Sequence, residues 1–101
     1  MDVTDLEDAV LAVLRDLQVG EVVSYGDIAS DAGYPGRARA VGRLLATTTQ
    51  CVPWWRVVNA AGRLVPGNER EHARRLRAEG VRVRDERVVA APFGRFTDRA
   101  K

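Results

Sequence analysis

The sequence is poor in the residues that most often carry chemistry. It has one cysteine, Cys51, and one histidine, His72. A lone cysteine permits no internal disulfide, which fits a reducing compartment. There is no metal-ligand cluster and no glycine-rich phosphate loop, so no metal and no cofactor are expected. No apolar run is long enough to span a bilayer. The N-terminus is acidic and lacks the basic-then-apolar start of a secretory signal, so a cytoplasmic protein is expected. Lysine is scarce too: of 16 basic residues, only Lys101 is not arginine. Acids are missing from one whole stretch. Residues 1–31 carry eight acids and one Arg, residues 32–68 five Arg and no acid, and residues 69–101 ten bases and six acids. The sums are −7, +5 and +4, which recover the net +2. A basic block without acids is either a polyanion-binding surface or a solvated face that balances the acidic N-terminus. Charge alone favours neither.

What is present describes one domain over residues 1–101, with an ordinary globular balance of 46% hydrophobic and 30% charged residues. A capping box, Thr4 at N-cap and Glu7 at N3, opens a helix predicted over 5–17 with Leu6, Val10, Val13, Leu14 and Leu17 at helical spacing. Gly20 ends it, and 21–23 read as extended. Ser24 caps a second helix over 25–32. A glycine-containing turn at 33–36 leads to a third over 37–46, with Ala38, Val41, Gly42 and Leu45 inward and Arg39 and Arg43 on another face. Two short helices joined this way read as a helix-turn-helix. Segments 56–58 and 63–65 read as a hairpin about a turn at 59–62, the wing of a winged helix. A helix over 69–79, with Ala73 and Leu76 inward, stops at Gly80. Val81 and Val83 read as a strand paired with Val88 and Val89, and about 91–101 as an irregular tail. The expected fold class is α+β, mainly helical, a winged helix-turn-helix.

Pro53-Trp54-Trp55-Arg56-Val57-Val58 resembles the active-site segment of the O6-alkylguanine-DNA alkyltransferases, which reads Pro-Cys-His-Arg-Val. Residues 20–29, residues 38–42, Gly67-Asn68 and Glu79-Gly80 resemble further pieces of that family in the same order. The resemblance is strongest over 5–85 and matches the family's C-terminal, DNA-binding half. Trp54 stands where the family keeps its nucleophilic cysteine, and Trp55 where it keeps its activating histidine. A thiolate accepts an alkyl group at neutral pH; an indole does not. The pattern is similar to that of the alkyltransferase-like proteins. It implies no enzyme and no catalytic residue. It implies a monomeric sensor that binds duplex DNA, flips O6-alkylguanine into a pocket, and flags the lesion for nucleotide excision repair proteins. A bacterial protein of this kind is nucleoid-associated when bound to DNA.

The resemblance further implies DNA contacts from Tyr25, Arg37, Arg39, Ala40, Arg43 and Thr47. It implies a lesion pocket built from Tyr25, Pro53, Trp54, Trp55, Arg56, Val57 and Asn68. Tyr25 presses on the backbone beside the lesion. Arg39 fills the hole that a flipped base leaves in the stack. Arg37 and Arg43 contact phosphates, and Trp54 offers the base a stacking surface. Without the resemblance, Tyr25 reads as packed on the core, Arg39 as solvated, and the tryptophan pair as core plus rim. Trp55 reads as core in either case. Glu79, which matches the family's relay acid, is left a structural role. Cys51 reads as a small buried side chain. The alternative functions are a winged-helix regulator or architectural DNA binder without lesion preference, an alkyltransferase using Cys51, and a paralogue that binds only protein.

Overall fold

The computed structural model describes residues 3–97. Strand β1 (Glu21–Ser24) is its dividing wall, and its Val-Val-Ser portion is buried. A strand covered on both faces carries consecutive rather than alternating apolar residues. Val23 therefore joins one core cluster and Val22 the other. Strand β2 (Val57–Val58) lies parallel beside it, with Val23 opposite Val57 and Ser24 opposite Val58. It splits in the same way, Val57 to the first cluster and Val58 to the second. Strand β5 (Phe93–Gly94) pairs with the other edge of β1, also in parallel.

The first cluster is helical. Helix α1 (Val3–Arg15) buries Leu6, Val10 and Leu14 against α2 (Tyr25–Asp31) and α3 (Ala38–Thr47). It begins ahead of Thr4 and stops short of the predicted end at 17, so Thr4 lies inside the helix rather than capping it. The expected cap on α2 is present as a reciprocal pair. Ser24 Oγ accepts the Asp27 N–H at 3.0 Å, and Asp27 Oδ2 accepts the Ser24 N–H at 2.9 Å. Between α2 and α3 the chain turns through Gly33 (φ +91°) and Gly36 (φ +86°), a left-handed conformation open to glycine. In α3 the buried residues are Val41 and Leu44, not the predicted Leu45. Leu45 is half-buried, because with Gly42 it faces an open cavity beside Tyr25 rather than the packed core.

The second cluster gathers around α4 (Glu69–Ala78), which buries His72, Ala73 and Leu76. Its C-terminus is a Schellman turn. The Val81 N–H reaches the Leu76 carbonyl at 3.1 Å, and the Gly80 N–H reaches the Arg77 carbonyl at 3.1 Å. A hairpin follows, β3 (Arg82–Arg84) with β4 (Arg87–Ala90). Its two-residue turn uses Asp85 and Glu86, both at positive φ (54° and 63°), the geometry that suits the twist of a tight hairpin.

Two expectations are corrected here. The wing is not a hairpin of 56–58 with 63–65. The backbone of Val57–Val58 is engaged by β1, and Trp54–Arg56 forms a 3₁₀ turn ahead of it. The returning segment pairs instead with the β3–β4 hairpin: Leu64 N–H donates to the Glu86 carbonyl (3.0 Å) and Val88 N–H to the Gly62 carbonyl (2.8 Å). Nor is the segment from 91 an irregular tail. Arg95 N–H bonds the Val22 carbonyl at 2.9 Å, and the Arg95 guanidinium grips both oxygens of Asp27 (2.9 and 3.0 Å). Residues 98–101 of that predicted tail lie outside the described residues. No helix among the described residues is long and apolar enough to cross a membrane.

Gly94 sits at φ +91° with β1 pressed against it, and a Cβ there would overlap the Val22 carbonyl oxygen. Gly94→Ala is therefore expected to cost about 3 kcal/mol, through strain and backbone displacement together. Urea denaturation checks this; a loss below about 0.5 kcal/mol would mean that β5 does not hold β1 in solution.

Candidate lesion-binding site

A cavity of about 300 Å³ opens between α2, α3 and the loops on either side of β2. Its lining is Tyr25, Gly42, Leu45, Ala46, Trp54, Val65 and Asn68. None of these is charged. The volume lies at the lower end of small-molecule sites. Tyr25 begins α2 directly after the Ser24 cap, so the capping box fixes where its ring starts. Gly42 faces that ring: a Cβ on it would touch the Tyr25 Cδ1 and Cε1 atoms at 4.0 Å. Burial raises the Tyr25 phenol above its ordinary pKa, which keeps it a neutral hydrogen-bonding group at neutral pH.

Trp54 forms the wall opposite the helices. Its ring meets Trp55 edge-on, with centroids 6.0 Å apart at 89°, and meets His72 at 5.1 Å and 61°. The Arg75 guanidinium lies over both indoles, 5.5 Å from the Trp54 centroid and 4.8 Å from that of Trp55. Cation–π contacts of this kind contribute roughly 0.5–2 kcal/mol. Glu71 holds Arg75 in place at 2.7 Å and also pairs with Arg74 at 2.6 Å. Hydrogen bonds from Arg74 and then Arg75 hold the Glu71 carboxyl down to about 2.

Behind Trp54 lies a polar cluster centred on Glu79. Its Oε1 accepts the Gly20 N–H (2.9 Å), its Oε2 the Trp55 indole N–H (2.7 Å), and the Arg56 guanidinium closes on both oxygens (2.8–3.2 Å). Arg56 also donates to the Leu17 carbonyl at 2.8 Å. Both side chains are 12% exposed. Burial pushes the Glu79 carboxyl up, but Arg56, the Gly20 amide and the Trp55 indole together outweigh it and leave the pKa below its ordinary value.

The predicted site residues thus separate. Tyr25, Trp54 and Asn68 line the cavity. Pro53, Trp55 and Arg56 do not; they line a shallower depression with Arg15, Cys51, Val52 and Arg75. Val57 is fully buried in the first core cluster. Trp55 is half-buried against the second cluster with its indole N–H spent on Glu79, so it is part core and part polar clamp. Cys51 is exposed, against the expectation of burial, because it sits on the loop after α3 while Val52 takes the inward position. Along α3, Arg37, Arg39 and Arg43 are exposed and Ala40 is half-buried. The Thr47 hydroxyl donates back to the Arg43 carbonyl at 2.9 Å. Among the described residues, no three His, Cys, Asp or Glu side chains gather where a metal could bind.

Sequence reasoning missed His72. It is fully buried on α4 with both ring nitrogens engaged. Nδ1 accepts the Val65 N–H at 3.2 Å, which assigns the ring proton to Nε2, the donor to the Trp55 carbonyl at 2.8 Å. Burial lowers its pKa, against a smaller raising effect of the Trp55 bond. The only sequence signal was its place one turn before Leu76, on the inward face of an otherwise highly charged helix.

Both buried groups make stability fall on acidification. Below the ordinary histidine value of 6.5 the unfolded chain takes up a proton that folded His72 resists, so stability declines until the lowered folded pKa is reached. Glu79 contributes fully above its ordinary 4.5 and loses that contribution as pH falls through its lowered value. Denaturation midpoints between pH 7 and 3 should show both limbs, the first absent in His72→Gln and the second smaller in Glu79→Gln. Glu79→Ala at neutral pH should cost on the order of 3 kcal/mol, because Arg56 stays buried without its partner; a neutral result would remove Glu79 from the framework.

Comparison with known proteins places this geometry. Residues 5–81 match the family described as 6-O-methylguanine DNA methyltransferase, DNA binding domain. A DNA base-flipping protein of Vibrio parahaemolyticus is 38% identical over 78 residues, 73% of this chain and 78% of the relative. A methylated-DNA-protein-cysteine methyltransferase of Mycobacterium leprae is 41% identical over 66 residues, 61% of this chain but 39% of that protein. Among solved structures, Schizosaccharomyces pombe Atl1, in complex with damaged DNA containing O6-carboxymethylguanine, aligns with a TM-score of 0.75 at 30% identity, covering 83% of each chain. With the family match covering most of its length and alkyltransferase-like proteins among its relatives, the chain belongs to the 6-O-methylguanine DNA methyltransferase DNA-binding-domain family.

Proposed function

We propose that this protein is a non-enzymatic sensor of alkylated DNA. It binds duplex DNA through α3, flips an O6-alkylguanine into the cavity, and holds the base against Trp54 without moving the alkyl group. Tyr25 meets the backbone beside the lesion, Arg39 occupies the vacated stack, and Arg37, Arg43, Ala40 and Thr47 form the rest of the contact face. Flipping costs a few kcal/mol, and less for a damaged base, which gives the first layer of selectivity. The bound complex, with this protein as a monomer on chromosomal DNA in the cytoplasm, then marks the site for nucleotide excision repair proteins.

The observation that carries this reading is the cavity lining. It is uncharged and mostly apolar and aromatic, with one amide at Asn68; it is bordered by the basic helix, and it contains no cysteine. Cys51 opens onto a different depression. The names of the relatives point the same way, toward base flipping and damaged DNA.

Two measurements test it. In a paired titration, a duplex with one O6-methylguanine should bind more tightly than its guanine twin, with no mass added to the protein. Trp54→Ala should erode that preference more than it weakens binding to normal DNA, by about 1–3 kcal/mol. Equal binding to both duplexes would favour a winged-helix protein without lesion specificity, and alkylation of Cys51 would make the protein an enzyme. The second measurement is salt dependence. Arg56 is committed to Glu79, which leaves Arg37, Arg39, Arg43 and Arg63 exposed in the acid-free stretch. The slope of log K against log salt should then be about −3 to −4, and one unit shallower in Arg43→Ala. A flat dependence would rule out DNA as the partner.

A further inference from the structure

The cavity has two kinds of wall. Tyr25, Gly42, Leu45 and Ala46 lie on helices, whose own hydrogen bonds fix them. Asn68 is the N-cap of α4 and is held by that helix, but Trp54 and Val65 are not: Trp54 opens a single 3₁₀ turn, and Val65 stands in the irregular stretch before α4. Short 3₁₀ turns and irregular loops need outside anchors to hold one geometry.

Trp54 and Val65 both meet the His72 side chain. Its ring edge packs on the Trp54 indole at 5.1 Å. Its Nδ1 takes the Val65 N–H at 3.2 Å, and its own backbone N–H donates to the Asn68 carbonyl at 3.0 Å. Its Nε2 fixes the Trp55–Arg56 peptide, inside the same 3₁₀ turn, by donating to the Trp55 carbonyl at 2.8 Å. No apolar residue could make the two ring bonds, and a cationic imidazole would lose the one to Val65, because Nδ1 would then be a donor facing a donor. His72 lies behind the cavity, fully buried and outside its lining.

We propose that His72 is the positioning residue of the lesion pocket: through Trp54, Trp55 and Val65 it sets the spacing of the walls that no helix holds. It acts on lesion preference through those residues and does not touch the base. This inference rests on the lesion-sensing reading above. Helix α3 is seated by Val41 and Leu44 in the first core cluster, and its exposed arginines touch nothing that His72 holds, so general DNA affinity should be little affected.

The test is the ratio of affinities for O6-methylguanine and guanine duplexes in three proteins: wild type, His72→Leu and His72→Gln. A glutamine amide offers one acceptor and one donor at nearly the imidazole spacing and can restore both bonds; leucine fills the space and restores neither. His72→Leu should lower the ratio about tenfold while binding normal DNA within about twofold of wild type. His72→Gln should recover most of the ratio. Hydrogen exchange at the Val65 amide, slow in wild type and in the glutamine variant and fast in the leucine variant, reports the latch without DNA, while slow exchange of the amides in α1 and α4 shows that each variant is folded. A folded leucine variant that keeps the full ratio, or a glutamine variant no better than leucine, overturns the proposal. A wild-type protein with no preference for the lesion overturns the lesion reading itself, and this inference with it.

Discussion

One carboxylate ties the end of α4, the entry to β1 and the tryptophan turn together at a single point. Glu79 caps the end of α4, and the Schellman turn at Gly80 leaves its side chain directed inward rather than along the helix. There it receives the first amide of the segment entering β1, the indole of Trp55 and the guanidinium of Arg56, while Arg56 reaches on to the last carbonyls after α1. A charge buried to this degree is costly unless it is paired and fully hydrogen-bonded. Here both conditions are met, and the result is directional: the 54–56 turn can occupy only one orientation. Trp54 faces the cavity because its two successors are committed elsewhere.

The sheet works as a partition rather than as a platform. Its strands are short and parallel, and they send alternate valines into two cores, one mostly helical and one built on α4 and the hairpin. The cavity opens along the seam between them, with Tyr25 and Leu45 packed on the first core and the tryptophan turn braced by α4. A pocket at such a seam can have apolar walls without being filled by its own core, since neither cluster closes over it.

Much of this was legible in the sequence, and the gaps have physical causes. Helices with a clear apolar stripe could be read directly, as could the cap at Ser24 and the stop at Gly80, whereas the Thr4–Glu7 box proved to lie inside α1. The tryptophans could be placed by motif, but only contacts could separate Trp54, on the cavity, from Trp55, on the clamp. The hairpin of 56–58 with 63–65 was misread because adjacent apolar segments around a glycine turn look like local antiparallel pairing. Parallel partners 34 residues apart (Val23 and Val57) leave no local signature. The docked segment at 93–95 was missed for the same reason, since Gly94 reads as a breaker until β1 is placed beside it. His72 was invisible because one histidine among arginines and glutamates resembles a solvated helix face.

Both neighbours of β1 arrive late in the chain. Residues 21–24 are made early, yet their partners are 57–58 and 93–94. A ribosome releases the three N-terminal helices long before the strand they rest on can be flanked, and β5 emerges only after β2, α4 and the β3–β4 hairpin. Closure of the wall therefore waits for residues 93–95, and until Arg95 reaches Asp27 a two-sided apolar strand stands with an open edge. A nascent chain stalled before residue 93 would expose that edge, which makes the closing residues a checkpoint on whether this protein leaves the ribosome as a folded molecule or as a substrate for chaperones and proteases.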